Sequence, residues 1–161
     1  MVLRTAHRGE LDLADGLLAV AERHRAEHEV HHVAIDLAGW SREHAARLAA
    51  AGHGYDLDLD GPPDASAPSF SGTLAALGRK TAETGAHRPE PGLLLLRDLC
   101  ELHLAASEHS LHWEMLAQAA QAARDSDLLH LVTSCHPQTL RQMRWTNTMI
   151  KILSPQVLTS L

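Results

Sequence analysis

From Pro91 to Arg124 the apolar positions of the chain recur in alternating steps of four and three: Leu95, Leu99, Leu102, Ala106, His109, Trp113, Leu116 and Ala120. That spacing returns a side chain to one side of an α-helix at every turn and does not match the period of two of a β-strand. Pro91 suits the first helical position, and no glycine follows Gly92. The stripe is a bundle seam, so the rest of the chain must supply helices for it to pack against.

At 161 residues the chain is long enough for one domain with a core of its own. Only five residues are aromatic (Trp40, Trp113, Trp145, Tyr55 and Phe70), so leucine and alanine carry the packing, which favours helix over sheet. Helix A is expected at about 8–26, with Leu13, Leu17, Val20 and Ala21 on one side and Asp12 and Asp15 suiting its start. Helix B is expected at about 29–51 on the stripe Val30, Val33, Leu37, Trp40, His44 and Leu48.

No glycine or proline separates A from B, and one continuous helix of that length would reach about 66 Å, overshooting its partners. The polar run 22–29 interrupts the apolar stripe, which places a tight turn near 26–28. A long connection rich in glycine, proline, serine and aspartate follows at 52–90, with one short helix at 73–83 capped by Thr73. After helix C at 91–124, helix D is expected at about 126–153, capped by Ser126. Its stripe is Leu129, Val132, His136, Leu140, Met143, Asn147 and Ile150; Pro137 should kink or restart it, and Pro155 should end it.

These elements make an all-α, four-helix up-down bundle in a single domain spanning 1–161, with a long crossover between B and C. The crossover would make B and C parallel and bring His44 to the level of Ser107 and Glu108. Within 22–32, four of eleven residues are histidine, and Glu29-Val30-His31-His32 spells Glu-x-x-His, whose i and i+3 side chains project together from one helix. On this motif and the helix order, the chain resembles the ferritin-like superfamily over most of 8–154. The resemblance implies that fold and a di-iron centre made of two Glu-x-x-His pairs and two further glutamates. Helix D has no glutamate, so the resemblance extends to the bundle and not to a complete di-iron ligand set.

The same window also reads His28-Glu29-x-x-His32, the pattern in which two histidines bind zinc and the glutamate serves as general base. The strand that precedes such a helix in zinc peptidases has no counterpart, and no third ligand stands at the extended spacing. A further reading is the i, i+4, i+8 ladder His24, His28 and His32, which a turn near 26–28 would break by removing His24. The plainest reading of the window is a solvated polar junction with charges laid out for i, i+4 pairing.

In helix C, Glu101, Glu108 and His112 share a side at steps of seven and four, and with His44 they would enclose a metal or an acid–base pair. The candidate metal ligands are therefore His28, Glu29, His32, His44, Glu108 and His112, and the metals they suit are Zn, Fe, Ni or Cu. Asp56-Leu-Asp-Leu-Asp-Gly61 opens like a calcium-binding loop, but Ala67 occupies its closing glutamate position. No phosphate loop, nucleophile elbow or Cys-x-x-Cys is present, and no nucleotide or flavin is indicated.

A net charge of −6 and scattered basic residues argue against nucleic acid as a partner. No run is apolar enough to span a membrane, no signal peptide opens the chain, and Cys100 and Cys135 read as free thiols, so a cytoplasmic protein is expected. Three functions compete. The first is a metal-binding ferritin-like bundle of unknown reaction, with a zinc-dependent hydrolase at His28-Glu29-x-x-His32 as its enzymatic version. The second is a non-catalytic oligomerisation or protein-interaction module, with Arg141, Arg144 and Trp145 as candidate contacts, Trp145 fitting a core position equally well. The third is a pH-responsive bundle acting through buried His109 or His136.

Overall fold

The computed structural model describes residues 2–59 and 90–160, and every regular element among them is helical. The elements are α1 (Val2–Arg23), α2 (His28–Gly52) with a single 3-10 turn after it (His53–Tyr55), α3 (Pro91–Ala123) and α4 (Ser126–Leu158). The helix expected at 73–83 and most of the acidic loop and crossover lie outside the described residues. No described helix is long and apolar enough to cross a membrane.

The chain turns at 24–27, so α1 and α2 are separate rods packed on each other rather than one long helix. Side chains from elsewhere pin this turn. Buried Asp98 of α3 accepts from Arg23 Nη1 at 2.5 Å and from His24 Nε2 at 2.8 Å, and His31 Nδ1 donates to the Ala21 carbonyl at 2.8 Å. Helix α1 starts at Val2 rather than near residue 8, because Leu3, Ala6 and His7 extend its buried side toward the N-terminus.

Both long helices begin with carboxylate caps. Glu90 accepts from the Leu93 amide, with Pro91 in the first turn, and Asp125 accepts from the Leu128 amide, taking the role expected of Ser126. Asp125 also accepts from the Tyr55 hydroxyl, tying the end of the first helix pair to the start of α4. Between α3 and α4, Arg124 adopts a left-handed conformation (φ 56°) and the Asp125 amide donates back to the Ala120 carbonyl, a six-to-one closure of the helix end. Pro137 does not restart α4 and Pro155 does not end it: the helix runs through both to Leu158.

Helix α1 packs chiefly on α2, and α3 on α4; α1 and α3 join the pairs, while the α2–α4 seam is the sparsest of the four principal helix–helix seams. That last seam is polar. Arg47 Nη2 donates to Ser134 Oγ at 2.6 Å, His44 Nε2 meets the Gln138 side-chain amide at 2.7 Å, and Gln142 Nε2 donates to Ser41 Oγ at 2.9 Å and to the Leu37 carbonyl at 3.1 Å. Positions 134, 138 and 142 are one turn apart on α4, so hydrogen bonds take the place of apolar contact along this edge.

Candidate functional site

The apolar interior is split in two. One cluster holds Leu13, Leu17, Val30, Leu37, Leu99, Leu102 and Met149; the other holds Leu3, Leu48, Trp113, Leu116, Leu131, Val132 and Cys135. Apart from Asp98 and Thr146, the buried polar residues of the helices fall at or beside the break between them: His7 and Glu10 on α1, Ser41 and His44 on α2, His109 and Ser110 on α3, and Thr139 and Gln142 on α4. All four helices therefore contribute to one polar layer across the bundle.

Glu10 is its centre, with 0% of its surface exposed. Its Oε1 accepts from Trp113 Nε1 at 2.9 Å and from His44 Nδ1 at 3.2 Å, and the His44 and Trp113 rings stand nearly perpendicular with their centroids 5.6 Å apart. Burial pushes the Glu10 carboxyl up, but the hydrogen bond and charge of His44, the charge of His109 and a hydrogen bond from Ser41 outweigh it and hold the group below its ordinary value. Glu10 Oε2, Thr139 Oγ1, Gln142 Oε1 and His109 Nδ1 are buried without a protein partner, so the layer is polar well beyond its central triad.

His109 is buried against the α1 backbone, where Gly9 leaves room for its ring. Desolvation lowers its pKa, and the neighbouring His112 lowers it further, against the opposing charges of Glu10 and Asp12 on α1 and Glu108 on α3. His136 is lowered as well, chiefly by desolvation, and its Nε2 pairs with Ser110 Oγ at 2.9 Å. A histidine whose folded pKa is depressed takes up its proton more readily when unfolded, so these two contribute stability that is complete above the ordinary imidazole range and is lost as pH falls through it. Glu10, also depressed, contributes stability lost at lower pH, below the ordinary carboxylate value. Urea midpoints should therefore hold level above neutrality and decline in two stages on acidification, and a midpoint that is flat or rises from pH 7 to pH 5 would contradict this account.

Of the six expected metal ligands, only His28 and His32 come together, with ring centroids 4.3 Å apart on the exposed first turns of α2. Glu29, one residue on from His28, is exposed and turned about 100° around the helix. His24 leaves the ladder for Asp98. His44 is buried, but both its ring nitrogens are engaged, by Glu10 and by Gln138, leaving no lone pair for a metal. Glu108 and His112 are half-buried and do not join His44, because His109 and Trp113 take the core-facing positions of those turns. Among the described residues no group of three histidine, cysteine, aspartate or glutamate side chains is placed to hold a metal ion.

The two-metal carboxylate centre implied by the resemblance does not fit this layer. Such a centre needs four carboxylates, whereas the layer has one, with Ser41, Thr139 and Gln142 at the other inward positions. Glu10, Gln138, Thr139 and Gln142 were not singled out by sequence. The signal that could have found them was polar residues standing in register with apolar stripes, Glu10 three residues before Leu13 and seven before Leu17.

The outer side of α3 and α4 carries a second feature. Leu104, Leu111 and Met115 of α3 are 54%, 59% and 51% exposed, and Leu140 of α4 is 44% exposed. Steps of seven and four put the three α3 residues on one stripe. Leu111 and Met115 line a shallow surface groove with Val2 and His136, and Leu140 stands one turn beyond His136. By contrast, Trp145 is half-buried against the core, with its Nε1 buried and unpartnered, so of the two places the sequence allowed this indole it takes the interior one; Arg141 and Arg144 are exposed. No protein-family model matches the chain, and neither a curated protein nor a solved structure is detectably similar to it.

Proposed function

We propose that the chain is a non-catalytic, self-associating helical bundle, built on the ferritin-like up-down plan without its metal centre, that pairs with a second copy through the outer face of α3 and α4. Two observations support the plan: one helix pair meets the other around a central polar layer, and that layer contains inward i, i+3 pairs, Ser41 with His44 and Thr139 with Gln142. The observation that carries the function is the exposed apolar stripe of Leu104, Leu111 and Met115, interrupted by half-buried Glu108, which a bundle gains nothing by leaving in water.

The charge pattern favours a second copy as the occupant. Beyond Asp98, which is buried at the turn, α3 carries only acidic charges (Glu101, Glu108 and Glu114), whereas beyond Asp127 α4 carries only basic ones (Arg141, Arg144 and Lys151). A two-fold axis parallel to the helices lays the acidic helix of each copy over the basic helix of the other. His103 bonds Thr146 and Ser110 pairs with His136, which fixes the relative heights of the two helices and puts Arg144 between the levels of Glu101 and Glu108. Each helix has 33 residues and is about 50 Å long, so a face two helices wide can supply the roughly 800 Å² per partner of a standard interface.

Leu111→Glu places a charge at the centre of the stripe without touching the core. It should shift the particle from dimer to monomer in light scattering while leaving the helical signal and urea midpoint of the monomer unchanged. A variant that keeps the wild-type mass would overturn this interface.

A further inference from the structure

We propose that the start of α2 is a chelating site for a borderline divalent transition-metal ion, Zn, Ni or Cu, with His28 and His32 as its two protein ligands. The inference is independent of the paired face, which lies on other helices. The two imidazoles are at i and i+4, where successive turns stack side chains, and their rings lie 4.3 Å apart, close enough for one ion to draw a nitrogen from each. Both residues are exposed, so binding requires no opening of the core. A third imidazole, His31, packs edge-on to His32 with centroids 4.9 Å apart, and its own Nδ1 is tied to the Ala21 carbonyl, which restrains the group at the helix junction.

The site is bidentate, in keeping with the absence of any three-residue metal group among the described residues, and water fills the remaining positions on the ion. Two nitrogen ligands without a carboxylate suit the later first-row metals and not Mg or Ca, with affinity expected in the order Cu above Ni and Zn. The positive end of the helix dipole opposes a cation there, and the flanking carboxylates Glu27 and Glu29 offset it.

The test is calorimetric titration of protein without an affinity tag at pH 7.5 with Ni and, separately, Zn chloride. Wild type should bind one ion per chain, and His28→Ala and His32→Ala should each weaken binding at least tenfold. Because a ligand bound only by the folded state raises the unfolding midpoint, added metal should also raise the midpoint of wild type and of neither variant. Matching midpoints of the three proteins in chelator would show that the variants fold. No binding by wild type, or equal binding by the His28→Ala/His32→Ala double variant, would overturn the site.

Discussion

Replacing Glu10 by alanine is expected to lower the unfolding free energy by about 3–5 kcal/mol, the cost of breaking a buried charged pair from one side. The loss is large against the roughly 5–15 kcal/mol that holds a domain of this size together. Glu10 is wholly buried and accepts from both His44 Nδ1 and Trp113 Nε1, so its removal leaves two donors in an interior without an acceptor. Glu10→Gln keeps an acceptor oxygen and should cost less than alanine. Urea denaturation of the two variants checks this, and an alanine loss below about 1 kcal/mol, the net worth of a single ordinary hydrogen bond, would mean that the polar layer does not hold the four helices together.

Gly9→Ala should be destabilising by about 1–3 kcal/mol, the usual cost of overpacking. Helix propensity alone predicts the opposite sign, since alanine in a helix interior is favoured over glycine by roughly 0.5–1 kcal/mol. The difference lies in His109: a Cβ at Gly9 would stand 1.7 Å from its Cε1, and the ring is buried. The two substitutions should therefore be strongly non-additive. In a His109→Ala background, Gly9→Ala should be neutral or stabilising; the same penalty in both backgrounds would show that the clash is not with this ring.

Sequence periodicity reads α3 well because its seam is apolar throughout: Leu95, Leu99, Leu102, Ala106, Trp113, Leu116 and Ala120 are all buried, and so is His109. It misreads α4 by about one position. Of the expected stripe, Val132 is buried and Met143 and Ile150 pack against the core, but Leu129, His136, Leu140 and Asn147 stand beside the inward positions, which between the apolar ends of the helix are Cys135, Thr139, Gln142 and Thr146. Those polar residues face inward because α2 and α3 offer them partners: Ser41 and the Leu37 carbonyl for Gln142, and His103 for Thr146. Pairing across the bundle is a long-range property that a local period cannot register. Glu10 escaped for the same reason, since a carboxylate on a buried stripe is interpretable only once His44 and Trp113 stand beside it. Leu140, left outside in the middle of α4, is the residual trace of the misread side, and it belongs to the face on which the proposed association rests.

That association is tested most directly by the mass of the particle in solution. Sedimentation equilibrium of the wild-type chain over a dilution series should give twice the 17.5 kDa of one chain at the upper concentrations, with dissociation promoted by salt because acidic α3 lies over basic α4. A mass of one chain at every concentration up to the solubility limit would contradict the account.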